Sequence, residues 1–588
     1  MRDNQEALMP RGNLWKVREF SNWARCRPVA ATRRNTLFNA PAWKSLCVSY
    51  STHSKAVIVK SIWKSIVPLG AGLFVAAGGG GLAFAQTVAP FAIVGHVQKF
   101  TLDLPTDVFS GAKMTVNGID VVIPKNTVVV MPAAYLTPQQ IFLGPTQGSS
   151  VLAESGLALD DTTKPLAAFE VSLDGNIVGG IYIAGLVHIS QQSLNNAAGF
   201  IRKIDYNTGE LCVGGSSTPI PAAAACSPPD ARVRINDPKG RYGLADGAQK
   251  TSPDSRFSVD PDNPTIHSAT GYPMCVPRLD PGPSGSTIDP KCPVTNRPKD
   301  GAGKFRTTFV MTGADITTGL PAGLPPIPAC SPACNPNEQV PFVVGDYINF
   351  QGTLAKDSNA AHPFYISAHT IDANVGIYTE AGAGKTAYIS QEKSLIGTQG
   401  DITSGACGTT MECQAKIRIV GFITDPTRAQ KVGIYAVDVG TDGVRKTRKL
   451  AISAKTQGLF GRFRFEVTKT PALLPTGLGV TREIMVRIDD PAPLADGTVV
   501  PDSSNAPTTA NELIAGQYVA PVGEYLFPEG LILGGPQPAA NFQCLAFLTA
   551  GWGIMDPAAP LLSSIGQLSP WPGGATPAAS AAGIDCTN

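Results

Sequence analysis

The chain has 588 residues, enough for several domains of about 100–200 residues each, and a formal net charge of only +2. Apolar residues make up 43% of it, which is sufficient for buried cores, and charged residues make up 16%. The charge is uneven, because residues 1–85 hold twelve Lys or Arg against three Asp or Glu while the remainder is mildly acidic. Because phosphate backbones bind to basic surfaces, we expect no nucleic-acid partner.

Residues 59–85 have the three parts of a secretory signal peptide. Two lysines precede an uncharged stretch, and the stretch ends in Ala-Phe-Ala, a small-x-small cleavage site. Cleavage between Ala85 and Gln86 is therefore expected. The alternative is an uncleaved anchor over residues 66–85, a stretch long enough to span a bilayer, and membrane contact is expected only in that case.

Residues 1–58 precede this signal and show no clear hydrophobic period. They hold ten Lys or Arg, three Trp and two Cys. One hypothesis is an over-extended translation start, since initiation at Val59 gives an ordinary signal peptide. The alternative is a cytoplasmic tail whose positive charge stays inside.

The first two elements after the signal are a hairpin and a short helix. Residues 112–116 and 119–123 alternate in polarity around Asn117-Gly118, the sequence typical of a two-residue type I′ turn. Thr137, followed by a proline and by Gln140, is typical of a capping box, so we expect a short helix that ends near Gly144.

Further strands follow in the body of the chain. Residues 199–213 indicate a hairpin that turns at Asn207-Thr208-Gly209. Four later runs alternate between apolar and polar residues, and each predicts a strand with one buried face. These runs are residues 231–236, 415–419, 462–467 and 484–489.

These patterns predict an all-β fold with several small barrel-like (OB-like) or sandwich modules in tandem, joined by long loops rich in proline and glycine. The expected β modules are residues 86–192, 195–312, 340–400 and 412–490. An irregular Pro/Ala/Gly-rich segment is expected over residues 510–588.

Ten cysteines follow the signal, and an even number in an exported chain indicates disulfides. The simplest pairing joins sequence neighbours: Cys212 with Cys226, Cys275 with Cys292, Cys330 with Cys334, Cys407 with Cys413, and Cys544 with Cys586. The spacing does not prove this connectivity. A zinc site is the alternative for the C-x3-C pair, but the chain has no second ligand pair with zinc spacing.

Several phrases resemble, as a set, an uncharacterised family of secreted β-rich proteins found in bacteria and fungi. They are Arg232–Pro238, Thr270–Cys275, Val522–Pro528 and Pro570–Gly573. The resemblance covers most of residues 90–588 and implies export and a β-rich fold. No function is attached to that family, so it supplies no site residues.

Two motifs suggest ligand chemistry but are better explained as loops. Residues 382–386 read Gly-Ala-Gly-Lys-Thr, but the first glycine of a phosphate loop is missing and no helix pattern follows, so a hairpin loop is expected. His362 and His369 are seven residues apart and point to opposite faces of a strand, so one loop histidine and one exposed or core histidine are expected.

Acidic turns and serine-lysine pairs are equally weak signals. Asp260-Pro-Asp-Asn263 and Asp438 with Asp442 do not match a calcium loop and are ordinary turn compositions. Ser110 with Lys113 and Ser390 with Lys393 match S-x-x-K without companion motifs, so exposed strand or turn residues are expected. We predict no catalytic, cofactor-binding or metal-binding residue and no cofactor.

The sequence thus favours an exported non-catalytic protein with a binding or structural role at the cell surface or outside the cell. Its ligand would be extracellular or periplasmic. The alternative is a secreted hydrolase whose active site forms only in the fold. The hydrolase alternative would be favoured if His188, His267 or His369 lay within hydrogen-bond reach of both a serine and a carboxylate in an open cleft.

N-terminal sequencing of secreted protein tests the export prediction. We expect the mature chain to begin at Gln86, because signal peptidase cuts after small residues at this spacing. A full-length form retained in membranes would support the anchor over residues 66–85 instead. A peptide from residues 1–58 in the precursor would contradict the over-extended start.

Overall fold

The structure is a computed structural model. It describes residues 88–132, 135–244, 254–260, 263–278, 289–317, 323, 325–359, 361–398, 409–412, 416–439, 445–450, 455–456, 460–467, 480–489, 513–540, 542 and 567–573. These residues belong to one compact unit, and strands are nearly all of its regular structure, so the all-β prediction is confirmed. Within these ranges, no helix has the length and apolar character needed to cross a membrane. Ala85, Gln86 and the rest of the N-terminal segment lie outside them.

The first sheet has eight strands, and its six main strands lie in the order β1-β7-β8-β4-β3-β2, with β5 paired to β8 and β6 paired to β5. The strands are β1 (Val88–His96), β2 (Lys99–Leu102), β3 (Ala112–Val116), β4 (Ile119–Ile123), β5 (Val129–Val130), β6 (Tyr135–Leu136), β7 (Glu170–Val178) and β8 (Ile181–Ser190). One face covers a core that includes Met114, Val121 and Leu173.

The hairpin and the helix predicted in this region are both present. Strands β3 and β4 pair with Val116 opposite Ile119, and Asn117 and Gly118 both have positive φ, as a type I′ turn requires. The helix α1 (Pro138–Ile141) has Thr137 as its N-cap with both capping-box hydrogen bonds in place.

The second sheet closes into a five-stranded barrel. Strands β9, β10 and β11 are consecutive antiparallel neighbours, β16 pairs with β9 and with β17, and β17 returns to pair in parallel with β11. The strands are β9 (Asn196–Asp205), β10 (Glu210–Gly214), β11 (Ala231–Ile235), β12 (Ile266–Ser268) at the edge, β16 (Tyr347–Lys356) and β17 (Phe364–Ala373). The hairpin predicted over residues 199–213 is formed by β9 and β10.

This barrel combines two segments that the sequence separated. Strands from the predicted modules 195–312 and 340–400 share one sheet, because the barrel closes only when β16 and β17 join β9 and β11. Local periodicity identifies strands but carries no information about such distant pairing.

The C-terminal half forms two sheets that enclose a common core. The third sheet has the order β24-β25-β21-β19-β28, and the fourth has the order β23-β22-β26-β27. Their strands are β19 (Ile389–Gly397), β21 (Ile417–Ile423), β22 (Val432–Val439), β23 (Arg445–Lys449), β24 (Lys455–Thr456), β25 (Arg462–Val467), β26 (Glu483–Ile488), β27 (Gln517–Pro521) and β28 (Glu524–Leu526). Strands β27 and β28 lie within residues 510–588, so part of that segment is regular rather than irregular.

Short strand pairs and disulfides fix the long loops. The pairs are β13 (Met274–Cys275) with β15 (Val340–Pro341), β14 (Thr308–Val310) with β18 (Gly376–Tyr378), and β20 (Met411–Glu412) with β29 (Glu529–Gly530). Disulfides join Cys212 to Cys226, Cys275 to Cys292, and Cys330 to Cys334, which are three of the five predicted neighbour pairs. Cys407, Cys413, Cys544 and Cys586 lie outside the described residues.

Two strands predicted to have one buried face are covered on both faces. All six residues of β26 are buried, including Met485 and Arg487, because Tyr435 and Val519 on neighbouring strands pack against its second face. In β11, Arg232 is only 7% exposed. Alternating polarity therefore marks the strands correctly but does not show that the polar face meets water.

The outer face of the first sheet is covered by residues from the far end of the chain. The side chain of Asn176 on β7 donates to the carbonyl oxygens of Ala540 at 3.0 Å and Pro572 at 2.7 Å. Gly185 on β8 lies beneath the Phe542 ring, and a Cβ at this position would lie 2.4 Å from a ring carbon. Glycine is therefore required here for the close approach of Phe542.

Replacing Gly185 with alanine should destabilise the protein by about 1–3 kcal/mol, because the added methyl overpacks this contact. The measurement is denaturant unfolding, with limited proteolysis to detect release of the C-terminal segment. Gly215→Ala is the control, since a Cβ there meets nothing within 4 Å. Equal effects of the two substitutions would contradict the prediction.

Candidate functional site

The covered face of the first sheet carries two ionisable side chains. Asp174 on β7 lies directly opposite Leu186 on β8, and His188 lies two residues further along β8. Leu186 belongs to the outer cluster whereas Leu173 belongs to the inner core, which places Asp174 with Leu186 on the outer face. Diagonal positions of this kind are roughly 7–8 Å apart, so Asp174 and His188 are neighbours on one surface.

Apolar side chains surround these two groups. The outer cluster brings together side chains from the first sheet, from the residues just before β26 and from the C-terminal segment: Val128, Leu186, Val480, Ala540, Phe542, Leu568 and Trp571, with Tyr135, Tyr525 and Phe527 packed against them. The ionisable groups therefore lie in surroundings that disfavour charge.

Arg482 comes to the same region from the residue before β26. Its backbone is fixed, because its carbonyl accepts from Val522 N–H and the preceding carbonyl, of Thr481, accepts from the Tyr525 hydroxyl at 2.9 Å. Its Nε and Nη2 atoms are buried and have no hydrogen-bond partner among the described residues. The Nε2 atom of His188 is likewise buried and has no hydrogen-bond partner among the described residues.

Burial changes the pKa values of these groups. It raises the pKa of Asp174 to about 6 and, together with the nearby Arg482 charge, lowers that of His188 to about 4. Burial also lowers the pKa of the Arg482 guanidinium. At neutral pH, His188 is therefore uncharged and the Asp174 carboxylate bears an unfavourable charge.

These side chains nevertheless keep some accessible surface. Four side chains here are half-buried: Asp174, His188, Arg482 and Tyr525. Desolvation is nevertheless the main cause of each of their pKa shifts, and in each case it disfavours the charged form. These four side chains therefore lie in a poorly solvated region that keeps some accessible surface. We call the region lined by these four side chains the Arg482 recess.

A second group of ionisable residues lies between the barrel and the third sheet. His267 Nδ1 is 2.7 Å from the carbonyl oxygen of Ser268 and 3.9 Å from Asp372 Oδ1. Burial raises the pKa values of Asp372 and Glu392, and Arg462 Nη2 lies 3.4 Å from Glu392 Oε2. We call His267, Asp372, Glu392 and Arg462 the His267 cluster.

Among the described residues, none of His188, His267 and His369 lies within hydrogen-bond reach of both a serine hydroxyl and a carboxylate. The serine contact of His267 is a backbone carbonyl, which cannot act as a nucleophile. His369 is fully buried, and its Nδ1 contacts the Thr370 hydroxyl at 3.0 Å. His188 lies beside Asp174, but its hydrogen-bond partners among the described residues include no serine hydroxyl.

A third charged group lies on the barrel and is internally neutralised. Arg232 and Arg234 each form ion pairs with both Glu210 and Asp357, at distances of 2.6–2.8 Å. The Arg234 guanidinium also lies 4.6 Å from the centroid of the Tyr365 ring. With two cations facing two anions, this group is satisfied within the fold and is best explained as structural.

The weak motifs of the sequence do not form sites. Lys385 of the glycine-rich loop pairs with Glu380, and this loop joins strands of different sheets, so the predicted hairpin is wrong. Ser110 and Ser390 are buried rather than exposed. The Asn263 side-chain amide donates to the carboxylate of Asp260, three residues earlier, as expected of a turn. It also donates to the distant Val519 carbonyl.

Metal ligation is not supported in the described part of the chain. No group of three His, Cys, Asp or Glu side chains there could hold an ion. Cys330 and Cys334, the zinc alternative, form a disulfide. Asp438 and Asp442 cannot be assessed, because their side chains lie outside the described part.

The residues of the Arg482 recess were missed by motif analysis. Strand β8 is apolar on both faces, a pattern that indicates cover on both sides, and His188 is the one residue in it whose side chain can carry a positive charge. That combination was the available signal. Arg482 has no comparable local signature, because its position depends on how the fourth sheet meets the first.

Comparison with family models, curated proteins and solved structures finds no match to this chain.

The substitution Asp174→Asn tests the burial of this carboxyl. Its pKa is raised above the unfolded value of about 3.9, so the unfolded chain binds fewer protons between these values and stability falls as pH rises from about 4 to 6. Well above pH 6 the variant should be more stable than the wild type by at most about 3 kcal/mol. Unfolding free energies at pH 4 to 8 measure this.

Asp107→Asn is the control of opposite sign. A hydrogen bond from Lys125 lowers the pKa of Asp107, so its contribution is present above the unfolded pKa and is lost as pH falls. If Asp174→Asn showed no gain at pH 7, Asp174 would be well solvated and the recess would be refuted.

Proposed function

We propose that this protein is an exported, non-catalytic β protein that binds a small anionic ligand in the Arg482 recess. The observation that carries the proposal is the pair of buried Arg482 N–H groups without a partner among the described residues. Such donors are normally satisfied in folded proteins, and an unsatisfied buried charged donor is costly. A ligand carboxylate or phosphate oxygen supplies the acceptor that Arg482 lacks.

Export is supported by the cysteines and by the N-terminal segment. The three disulfides fit an oxidising environment outside the cytoplasm. The signal-like residues 59–85 precede the first described strand. Secretion and the resemblance to secreted β-rich proteins remain parts of the proposal.

The barrel supports an OB-like module with no role in nucleic-acid binding. Its strand connections, a three-strand meander closed by a parallel pair, are those of a small Greek-key barrel. OB-folds use their second and third strands to bind ligands. Here those strands carry Arg232 and Arg234, which are already paired with carboxylates.

The alternative function is hydrolysis at the His267 cluster. Two carboxyl groups with raised pKa values beside a histidine are typical of acid–base sites. A panel of chromogenic esters and glycosides tests this alternative. Turnover that Glu392→Gln abolishes and Arg482→Met preserves would replace the binding proposal.

Arg482→Met tests ligand binding, because methionine keeps an unbranched side chain and removes the donors. Thermal unfolding is measured with a panel of small carboxylates, phosphates and sulfates. Ligands that bind the native state raise the melting temperature by mass action. We expect at least one anion to stabilise the wild type, with affinity at least about tenfold weaker in Arg482→Met.

Arg202→Met is the matched control, because Arg202 pairs with Asp230 on the barrel, outside the recess. It should retain the ligand response of the wild type. Circular dichroism verifies that both variants fold. The proposal is wrong if no anion of the panel stabilises the wild type more than it stabilises Arg482→Met.

A further inference from the structure

Three neighbouring strands place polar side chains in one row on the outer face of the barrel. Asn349 on β16 lies directly opposite Asp372 on β17, and His267 on β12 lies opposite Asp372 from the other side. His267 Nδ1 and Asp372 Oδ1 are 3.9 Å apart. The neighbouring Ile348 and Ile371 belong to the barrel core. Because side chains alternate across a strand, the row lies on the face that points away from the core.

An aromatic pair lies beside this row on the same face. Tyr347, two residues before Asn349 on β16, is the cross-strand partner of Phe200 on β9. The two rings make an edge-to-face contact with centroids 5.0 Å apart, which holds the tyrosine ring in place. Tyr347 is nevertheless 37% exposed, so part of its surface is open to a partner. Gln351, two residues after Asn349, extends the polar side chains along the same face.

The polar row is open to solvent. The Asp372 side chain is 42% exposed, and Asn349 is exposed. His267 is more enclosed, and its Nδ1 lies 2.7 Å from the carbonyl oxygen of Ser268. A carbonyl only accepts, so Nδ1 carries the proton of the neutral ring and Nε2 is an acceptor. We call this surface the barrel platform, and it is formed by Phe200, Tyr347, Asn349, Gln351, Asp372 and His267.

The side chains of the platform indicate which kind of molecule fits it. They include one carboxylate and no Lys or Arg, so they offer no ammonium or guanidinium group to a phosphate or sulfate polymer. Apart from the ring pair they are polar, whereas the centre of a protein–protein interface is largely apolar. A ring surface next to carboxylate, amide and imidazole groups instead suits a molecule with apolar faces and uncharged hydroxyl groups at its edges. Sugars have this composition.

The shape of the platform favours a chain over a single small molecule. It extends over four strands, which is about 14 Å at the usual spacing between strands. As the outer face of a closed barrel it is convex, whereas sites for small molecules are concave and enclose most of the ligand. A chain of sugars can lie along such a surface and make several weak contacts at once. The outer face of β11 is unsuited to this role, because Arg232 and Arg234 there are already paired with carboxylates.

We propose that the barrel platform binds a neutral polysaccharide chain. The Tyr347 ring stacks on the apolar face of one sugar unit. The Asp372 carboxylate and His267 Nε2 accept hydrogen bonds from sugar hydroxyl groups, and the Asn349 amide both donates and accepts. The platform shares no residue with the Arg482 recess, so this inference goes beyond the proposed function. It concerns binding alone and does not depend on hydrolysis at the His267 cluster.

Isothermal titration calorimetry with a defined set of probes tests this inference. The neutral probes are cellohexaose, xylohexaose, mannohexaose, chitohexaose and laminarihexaose, and the polyanionic probes are heparin and a single-stranded DNA. The platform variants are Tyr347→Ala, Tyr347→Phe and Asp372→Ala. Tyr206→Ala is the matched control, because Tyr206 is 40% exposed and lies beyond the end of β9, about 20 Å along the chain from Phe200.

We expect at least one neutral oligosaccharide to bind the wild type. Tyr347→Ala should weaken that binding about tenfold through loss of the ring, whereas Tyr347→Phe keeps the ring and should bind nearly as the wild type. Asp372→Ala should weaken it at least about tenfold, because a charged acceptor is lost. Tyr206→Ala and Arg482→Met should bind as the wild type. Circular dichroism verifies that each variant folds.

The outcomes separate this inference from the proposed function. If none of the five oligosaccharides binds the wild type, or if only heparin or the DNA binds, the platform inference is wrong while anion binding at Arg482 stands. If an oligosaccharide binds the platform variants as tightly as the wild type, the sugar site lies elsewhere and the inference is wrong. Loss of oligosaccharide binding in Arg482→Met would also contradict it, because the two sites would not be separate.

Discussion

The cover on the outer face of the first sheet is the constraint on which the rest of this structure depends. Phe542 packs on Gly185, and Asn176 bonds to the backbone of Ala540 and Pro572, residues more than 350 positions away in sequence. These contacts bury a sheet face that would otherwise be exposed to solvent. It places Asp174 and His188 in poorly solvated surroundings.

The molecule treats its buried charges in two ways. On the barrel, Arg232 and Arg234 face Glu210 and Asp357 at ion-pair distance, and Arg297 pairs with Asp346 in the interior. Breaking such a pair leaves an uncompensated charge, so these groups hold the fold together. In the Arg482 recess, by contrast, two buried N–H groups of Arg482 have no partner among the described residues. Donors that the fold leaves unpaired are available to a ligand, which is why function is assigned to this recess.

Much of the local structure could be predicted from the sequence, because local rules decide it. The turn at Asn117-Gly118 needs positive φ at two successive residues, and Asn-Gly tolerates it. The helix at Thr137 begins where a capping box satisfies its first N–H groups. Three disulfides join sequence neighbours, since short loops keep their ends close. The predicted hairpin around Gly382 failed because its flanking strands belong to different sheets.

By itself, the sequence determined the strand-rich class, the turns and the helix cap, which depend on residues close together along the chain. It favoured disulfides between neighbouring cysteines without proving them, and the structure shows three such pairs. Only the tertiary structure decided that β16 and β17 close the barrel and that both faces of β26 are buried. It alone placed Asp174 and His188 beside residues from the far end of the chain. Burial and electrostatic environment depend on what packs against a residue, and here the packing partners lie hundreds of residues away. Polarity patterns report which side chains could face water, but the fold decides which of them do.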